Sequence, residues 1–160
     1  LIHDAARPCI SRDLVRTSVR AAQRYGAVVC GLPSPLTIKA VDAQGAVRVT
    51  LARDPLWLIQ TPQVFRADWF AQSLRQADHQ LDRFPDDASM VESAGFPVRV
   101  VPGDPLNLKV TTRDDLLLAE AILQQQRNGR KGKIQKAKGK TTTQKSKVTA
   151  QTLLNFELWF

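Results

Sequence analysis

The sequence predicts an α/β fold with an appended β-hairpin arm, and three observations support this prediction. Short apolar runs typical of buried strands alternate with longer stretches whose apolar residues recur at helical spacing. Two alternating runs joined by a tight turn predict the hairpin. The 160 residues are enough for one domain with a sizeable core.

The first eight residues, Leu1 to Pro8, are the stretch around which the chain is organised. We expect a buried strand that ends in Asp4, two small residues and Arg7. Ligands of open parallel sheets bind beyond the carboxyl ends of the strands, so this segment is a candidate site. The alternative is a strand followed by a polar turn in which both charges are incidental.

A helix is predicted from about residue 12 to residue 25, because Ser11 is a good N-cap and Gly26 a good C-terminal stop. The apolar run 27–32 predicts a strand buried on both faces. A strand, a helix and a strand in this order predict a parallel unit.

The arm is placed at about residues 34–56, with strands at 36–41 and 46–51. Since a two-stranded hairpin is marginal in isolation, we expect the arm to lie on the rest of the domain or on another subunit. Residues 60–63 are expected in a proline-stiffened loop. The remaining elements are a helix at about 67–81, a short helix from Asp86 or Asp87 to Gly95, strands at 98–101 and 108–110, and a helix from the capping box at Thr112 to about 125.

The net charge of +8 is unevenly distributed. Residues 1–126 hold fourteen basic and fourteen acidic side chains, whereas residues 127–147 hold nine basic and no acidic ones. We therefore divide the chain into a neutral domain, residues 1–126, and a basic low-complexity tail, residues 127–160, whose stretch 127–147 we expect to be disordered.

Cys9 and Cys30 belong to no CxxC or Cys/His cluster, so we expect reduced thiols in or near the core of a cytoplasmic protein. No apolar run approaches the ~20 residues that cross a bilayer. The first seven residues include His3, Asp4 and Arg7, which a signal peptide would not carry there.

Residues 1–126 contain twelve arginines and only two lysines, Lys39 and Lys109. Each lysine lies among β-prone residues beside a hydroxyl side chain. A compact point charge at these two places is typical of phosphate handling, and an ordinary solvated lysine is the alternative.

Six motifs together resemble the 2-C-methyl-D-erythritol 4-phosphate cytidylyltransferase family over residues 1 to about 125. The resemblance implies the C-terminal part of a Rossmann-like nucleotidyltransferase sheet with a protruding β-hairpin arm. The motifs are His-Asp-Ala-Ala-Arg-Pro (3–8), Thr-Ile-Lys (37–39), Ala-Arg-Asp-Pro-Leu-Trp (52–57), Gln-Thr-Pro-Gln (60–63), Asp-Asp-Ala-Ser (86–89) and Asn-Leu-Lys-Val-Thr (107–111).

The implied reaction joins CTP to 2-C-methyl-D-erythritol 4-phosphate, with Mg²⁺, and releases pyrophosphate in isoprenoid precursor biosynthesis. The resemblance also implies a cytoplasmic homodimer formed through the arm. Asp4, Ala5 and Arg7 would line the nucleotide and methylerythritol site, with Asp4 as a tentative metal ligand. Lys109 would hold the phosphate for attack on CTP.

Three further residues would contact methylerythritol phosphate by resemblance, namely Thr37, Arg53 and Thr61, the last two from the arm region of a partner subunit. The sequence departs from the family pattern at two places. Leu36 stands where the family usually has Asp, and Pro85 stands where it usually has a threonine that faces substrate.

The family begins with a strand, a glycine-rich loop and a lysine that hold the CTP triphosphate, and these 160 residues contain no such loop. We therefore expect an N-terminally truncated chain that is inactive by itself. Two other classes stay open, a non-catalytic remnant that dimerises through its arm and a basic-tailed RNA-binding protein. The tail carries no RNP motif or zinc knuckle, so it would supply only non-specific attraction.

Overall fold

The computed structural model describes residues 1–78 and 80–128. The chain divides into two units, Leu1–Asp115 and a second unit that begins at Leu116. The first unit has the α/β architecture that the sequence predicts. In the second unit the described residues, 116–128, are helical.

The elements of the first unit follow in an order close to the expected one. They are α1 (Arg12–Tyr25), β1 (Ala27–Pro33), β2 (Lys39–Val41), β3 (Val47–Thr50), β4 (Trp57–Phe65), α2 (Ala67–Ala77), a 3₁₀ turn (Leu81–Arg83), α3 (Asp87–Ser93) and β5 (Arg99–Pro102). Helical conformation resumes at residue 113 and continues to residue 128.

Helix α1 has the predicted bounds for the predicted reasons. The Ser11 hydroxyl accepts a hydrogen bond from the Leu14 N–H at 3.1 Å. Gly26 ends the helix at φ 86°, a left-handed conformation that costs glycine little. The predicted capping box is also confirmed, because Thr112 and Asp115 exchange hydrogen bonds at the start of the helical residues 113–128.

The main sheet has the order β4-β1-β5, with β1 antiparallel to β4 and parallel to β5. Residues 27–31 of β1 are buried, as expected for a strand covered on both faces. The core therefore centres on β1, and its buried cluster consists of Leu14, Ala22, Val28, Cys30, Val64 and Val101.

The expected buried strand at the N-terminus is wrong. Leu1 is 57% exposed, and Ile2 forms only an isolated antiparallel bridge with Gln63. Because Ile2 and β1 both run antiparallel to β4, they are parallel to each other with β4 between them. The predicted parallel orientation of the N-terminal segment and β1 is confirmed, but the strand next to β1 on this side is β4 rather than the N-terminal segment.

Residues 60–63, expected in a loop, lie inside β4. The strand contains a register shift opposite Val29 and Cys30, and the bond between Thr61 and Pro62 is cis. A register shift of this kind lets a strand include a proline, which has no N–H to donate to the neighbouring strand. It also interrupts the regular strand pairing at residues 60–63.

Two other boundaries differ from the expectation. Helix α2 ends at Ala77 rather than about residue 81, because Asp78 adopts the left-handed conformation at φ 42°. Residues 108–110 are not a strand, and this segment is instead held by a hydrogen bond from Val110 N–H to the Ala6 carbonyl at 2.8 Å.

The predicted hairpin is confirmed, with β2 and β3 paired antiparallel across a turn at 42–45. Every residue of both strands is exposed. On β3, Val47 and Val49 share one face and are 54% and 48% exposed. The arm thus has an apolar face that the described part of the chain leaves uncovered.

Both cysteines are reduced and buried, as predicted, and burial raises the pKa of each thiol. Within residues 1–78 and 80–128, none of the helices has the length and apolar character needed to cross a membrane. The predicted tail falls outside the described residues except for 127 and 128, which are helical rather than disordered.

Candidate functional site

A pocket of about 570 Å³ opens between the N-terminal segment, β4, the start of α3 and the loop after β5. Five of the seven site residues predicted from the sequence line it: Asp4, Ala5, Arg7, Thr61 and Lys109. The remaining lining residues are Ile2, His3, Ile59, Gln60, Gln63, Pro85, Asp86 and Asp87.

Asp4 lies between the two cations of the pocket. Its Oδ2 is 3.0 Å from Lys109 Nζ and 3.8 Å from Arg7 Nε. Arg7 is the more buried cation, with 11% of its side chain exposed, and its Nη1 donates to the Asn107 carbonyl at 2.8 Å. Burial lowers the pKa of Arg7 and the Asp4 charge opposes this shift, yet a guanidinium stays protonated at physiological pH. The pocket therefore presents one buried and one half-exposed positive charge beside a carboxylate.

Thr61 belongs to the pocket of its own chain. Its hydroxyl accepts from the Asp4 N–H at 3.0 Å and lies 2.9 Å from His3 Nδ1. These contacts tie Thr61 to the N-terminal segment of its own chain, whereas the family resemblance implied that it reaches in from the arm region of a partner subunit.

Gln60 is a structural residue of the site that sequence reasoning missed. It is 7% exposed and bonds both ways with the backbone of Asp104, donating at 3.0 Å and accepting at 3.1 Å. It also donates to the Asn107 carbonyl at 3.3 Å. A Cβ at Gly103 would clash with the buried Gln60 side chain and lie 3.0 Å from the Gly31 carbonyl oxygen, so glycine suits the close approach of this loop. Gln60 thereby positions the segment that carries Lys109.

Gln63 performs the same task on the other wall of the pocket. Its side chain is 3% exposed, donates to Asp86 Oδ2 at 2.8 Å and accepts from the Ala88 N–H at 3.0 Å. The start of α3 is thus anchored to β4. The Gln-Thr-Pro-Gln pattern was the available signal for both glutamines, but it does not reveal which backbone groups they satisfy.

Asn107 connects the walls of the pocket and was also missed. It is fully buried, and its side-chain amide donates to the Thr61 carbonyl at 2.7 Å. Its backbone carbonyl accepts from Arg7 and Gln60. Removal of this side chain would break one of the hydrogen bonds that join β4 to the segment before Lys109.

Asp86 and Asp87 form the acidic wall of the pocket. Asp86 caps α3 in a capping box with Ser89. Burial raises the pKa of Asp87, and the charge of Asp86 raises it further. The adjacent Pro85 supplies no hydroxyl at the place where the resemblance implies one.

Thr37 and Arg53 are exposed residues of the arm region, and neither lines the pocket. Lys39, the second lysine of the domain, donates to the Thr50 hydroxyl at 2.8 Å across the hairpin. Contact of Thr37 and Arg53 with substrate stays a prediction, since the pocket of their own chain does not include them.

Among the described residues, no group of three or more His, Cys, Asp and Glu side chains could hold a metal ion. Mg²⁺ in nucleotide enzymes is held by one or two carboxylates together with phosphates and water, so a full protein cage is not required. Asp4 is partly exposed at the pocket and fits the role of a single carboxylate ligand.

Comparison with known proteins gives one consistent result. The family model of IspD, 2-C-methyl-D-erythritol 4-phosphate cytidylyltransferase, matches residues 1–125. The curated cytidylyltransferase of Syntrophus aciditrophicus is 41% identical over 126 residues, which are 79% of this chain and 54% of the relative. That of Symbiobacterium thermophilum is 45% identical over 125 residues, 78% of this chain and 53% of the relative.

The solved structures agree. The crystal structure of the cytidylyltransferase from Thermus thermophilus superposes with a TM-score of 0.69 at 39% identity, covering 76% of this chain and 60% of that one. The Francisella tularensis enzyme gives 0.69 at 33% identity, covering 75% and 57%. The chain spans about half the length of the curated relatives it matches.

Proposed function

Because this chain belongs to the 2-C-methyl-D-erythritol 4-phosphate cytidylyltransferase family, we propose that its pocket binds 2-C-methyl-D-erythritol 4-phosphate for cytidylyl transfer from CTP. The observation that carries the proposal is the convergence of Asp4, Arg7, Thr61 and Lys109 on one pocket. Carboxylate and hydroxyl oxygens suit the polyol hydroxyls, and the two cations suit the phosphate.

In the proposed reaction an oxygen of the methylerythritol phosphate attacks the α-phosphorus of CTP. The bond from that phosphorus to the bridging oxygen of the β-phosphate breaks, and pyrophosphate leaves. Such a reaction asks the protein for positioning and for positive charge near the phosphate oxygens. Lys109 orients the attacking phosphate, while Asp4 and Thr61 hold the hydroxyl end.

We assign Mg²⁺ to the nucleotide phosphates, with Asp4 as the protein ligand. When bound, the ion neutralises negative charge on those phosphates. We also assign the reaction to the cytoplasm, where reduced buried thiols such as Cys9 and Cys30 persist.

The active form in this proposal is a homodimer in which the arm of each subunit delivers Thr37 and Arg53 to the pocket of the other. Two observations support it: the exposed apolar face of the arm, and the position of both residues outside their own chain's pocket. Arg53 and Lys109 would then contact one phosphate from different subunits.

A mixing experiment tests this division of labour. Arg53→Ala and Lys109→Ala should each weaken methylerythritol phosphate binding about tenfold or more, since each removes a charge-assisted contact. After exchange of subunits, half of the dimers are mixed and one of their two sites is intact, so about one quarter of the sites should bind at the original affinity. Calorimetry gives this fraction. Proven exchange without recovery would place both residues in one subunit.

We further propose that the 160-residue chain by itself does not turn over CTP, because it contains no glycine-rich loop to cradle the triphosphate. Pyrophosphate release with CTP, methylerythritol phosphate and Mg²⁺ measures this directly. Turnover near that of a full-length relative would contradict the proposal. Absence of methylerythritol phosphate binding would instead favour a non-catalytic dimerising protein.

A further inference from the structure

The His3 ring connects two parts of the pocket and has no role in the function described so far. Its Nε2 lies 3.1 Å from the backbone carbonyl oxygen of Arg7, and its Nδ1 lies 2.9 Å from the Thr61 hydroxyl oxygen. The same hydroxyl oxygen accepts from the Asp4 N–H at 3.0 Å. These three contacts form one chain of hydrogen bonds along the pocket wall.

The direction of each bond in this chain follows from the chemistry of its members. A carbonyl oxygen can only accept, so His3 Nε2 carries the proton that bonds to Arg7. In a neutral imidazole the other nitrogen is then an acceptor. The only proton available between Nδ1 and Thr61 is that of the hydroxyl, so Thr61 donates to His3.

These bond directions determine which hydrogen bonds Thr61 can still form with a ligand. Its hydroxyl proton is committed to His3, and one of its two lone pairs is committed to Asp4. One lone pair remains, and Thr61 lines the pocket. Toward a ligand, Thr61 can therefore accept a hydrogen bond but cannot donate one.

We propose that His3 is a positioning residue that fixes Thr61 as an acceptor for a substrate hydroxyl and thereby sets the orientation of a polyol phosphate in the pocket. The inference rests on the function proposed above. A phosphate monoester that is fully ionised, as at about pH 8, only accepts hydrogen bonds, so it gains nothing from Thr61 in this state. Thr61 accepts a hydrogen bond from a hydroxyl at the polyol end of the substrate, while Lys109 and Arg7 bind its phosphate end.

The tautomer can be measured without any ligand. The chain has two histidines, so a His79→Gln variant leaves His3 as the single imidazole in a long-range ¹H–¹⁵N spectrum. At about pH 8, where an unperturbed imidazole is neutral, we expect the pattern of a proton on Nε2. A proton on Nδ1 would overturn the proposal whether or not the pocket binds methylerythritol phosphate.

The effect on orientation is tested with two probes. His3→Ala and Thr61→Val should each weaken the binding of methylerythritol phosphate about tenfold, and the double variant should lose little more, because both remove the same directed bond. The binding of methyl phosphate at about pH 8, where this monoester is fully ionised and has no hydroxyl to donate, should be unchanged. Thr17→Val, at an exposed hydroxyl on α1, is the matched control and should bind both probes like the unsubstituted chain.

Equal losses for both probes, or additive losses in the double variant, would show that His3 serves only to hold the pocket together. If the unsubstituted chain binds neither probe, the proposed function fails while the tautomer measurement still decides the state of Thr61. If His3→Ala does not fold, Thr61→Val together with the spectrum keeps the proposal falsifiable.

Discussion

The pocket and the arm differ in where their contacts come from. The polar side chains that support the pocket walls are buried and bonded across long sequence distances, as Gln60 is to Asp104 and Asn107 is to Thr61. The hydrogen bonds of the hairpin strands and their turn stay within the arm, and the valines of β3 face solvent. The contacts that hold the pocket walls together therefore lie within one chain, whereas we expect a partner to cover the apolar face of the arm.

The largest difference that we expect is in folding stability. Gln60→Leu removes three hydrogen bonds and leaves backbone groups of the Lys109 loop unsatisfied, so we expect a loss of about 2–4 kcal/mol in the free energy of unfolding. The same substitution at Gln44, exposed in the turn of the arm, should cost less than about 0.5 kcal/mol. Urea denaturation measures both. Equal costs would show that the pocket is no more fixed than the arm.

The second prediction concerns association. Val49→Asp places a charge on the apolar face of the arm, so we expect the dimer dissociation constant to rise at least about tenfold, with little change in folding of the subunit. Leu117→Asp, at a more exposed apolar side chain outside the arm, is the control. Sedimentation equilibrium separates the two. An unchanged constant for Val49→Asp would mean that the arm is not the contact between copies.

A weaker effect is expected in the pH dependence of the acidic wall. The pKa of Asp87 is raised by burial and by Asp86, so its ionisation opposes folding at neutral pH. Asp87→Asn should therefore stabilise the protein at neutral pH, and this gain should vanish as the pH falls through the raised pKa towards 3.8, where the unfolded chain also becomes protonated. Asp54→Asn on the arm region should change stability by less than about 0.5 kcal/mol. A gain that persists at low pH would contradict the assignment.

Local signals predicted the elements of the fold that are defined locally. The caps Ser11 and Gly26 gave the bounds of α1, and the alternation of β3 gave the hairpin. The strand position of residues 60–63 was not predictable from local signals, because a bulge and a proline interrupt the periodicity on which strand prediction depends. Pairing with β1 and Ile2, distant in sequence, decides it.

The residues of the site likewise divide into those that local motifs indicate and those that only the folded chain reveals. Asp4, Arg7 and Lys109 were singled out from their motifs, and all three line one pocket. The supporting side chains Gln63 and Asn107 were missed, because their partners are groups distant in sequence that only the folded chain brings within reach. Sequence patterns identify charges more readily than the buried amides that position them.

In the proposed enzyme the pocket, rather than the arm of the same chain, contributes the lysine that holds the phosphate of the substrate. The two lysines of residues 1–126 allow a matched test by calorimetry with methylerythritol phosphate. Lys109→Gln should weaken binding about tenfold to a hundredfold, since it removes a charge-assisted contact, and Lys39→Gln should leave the dissociation constant unchanged. Equal effects of the two substitutions, or no binding by the unsubstituted chain, would contradict the account.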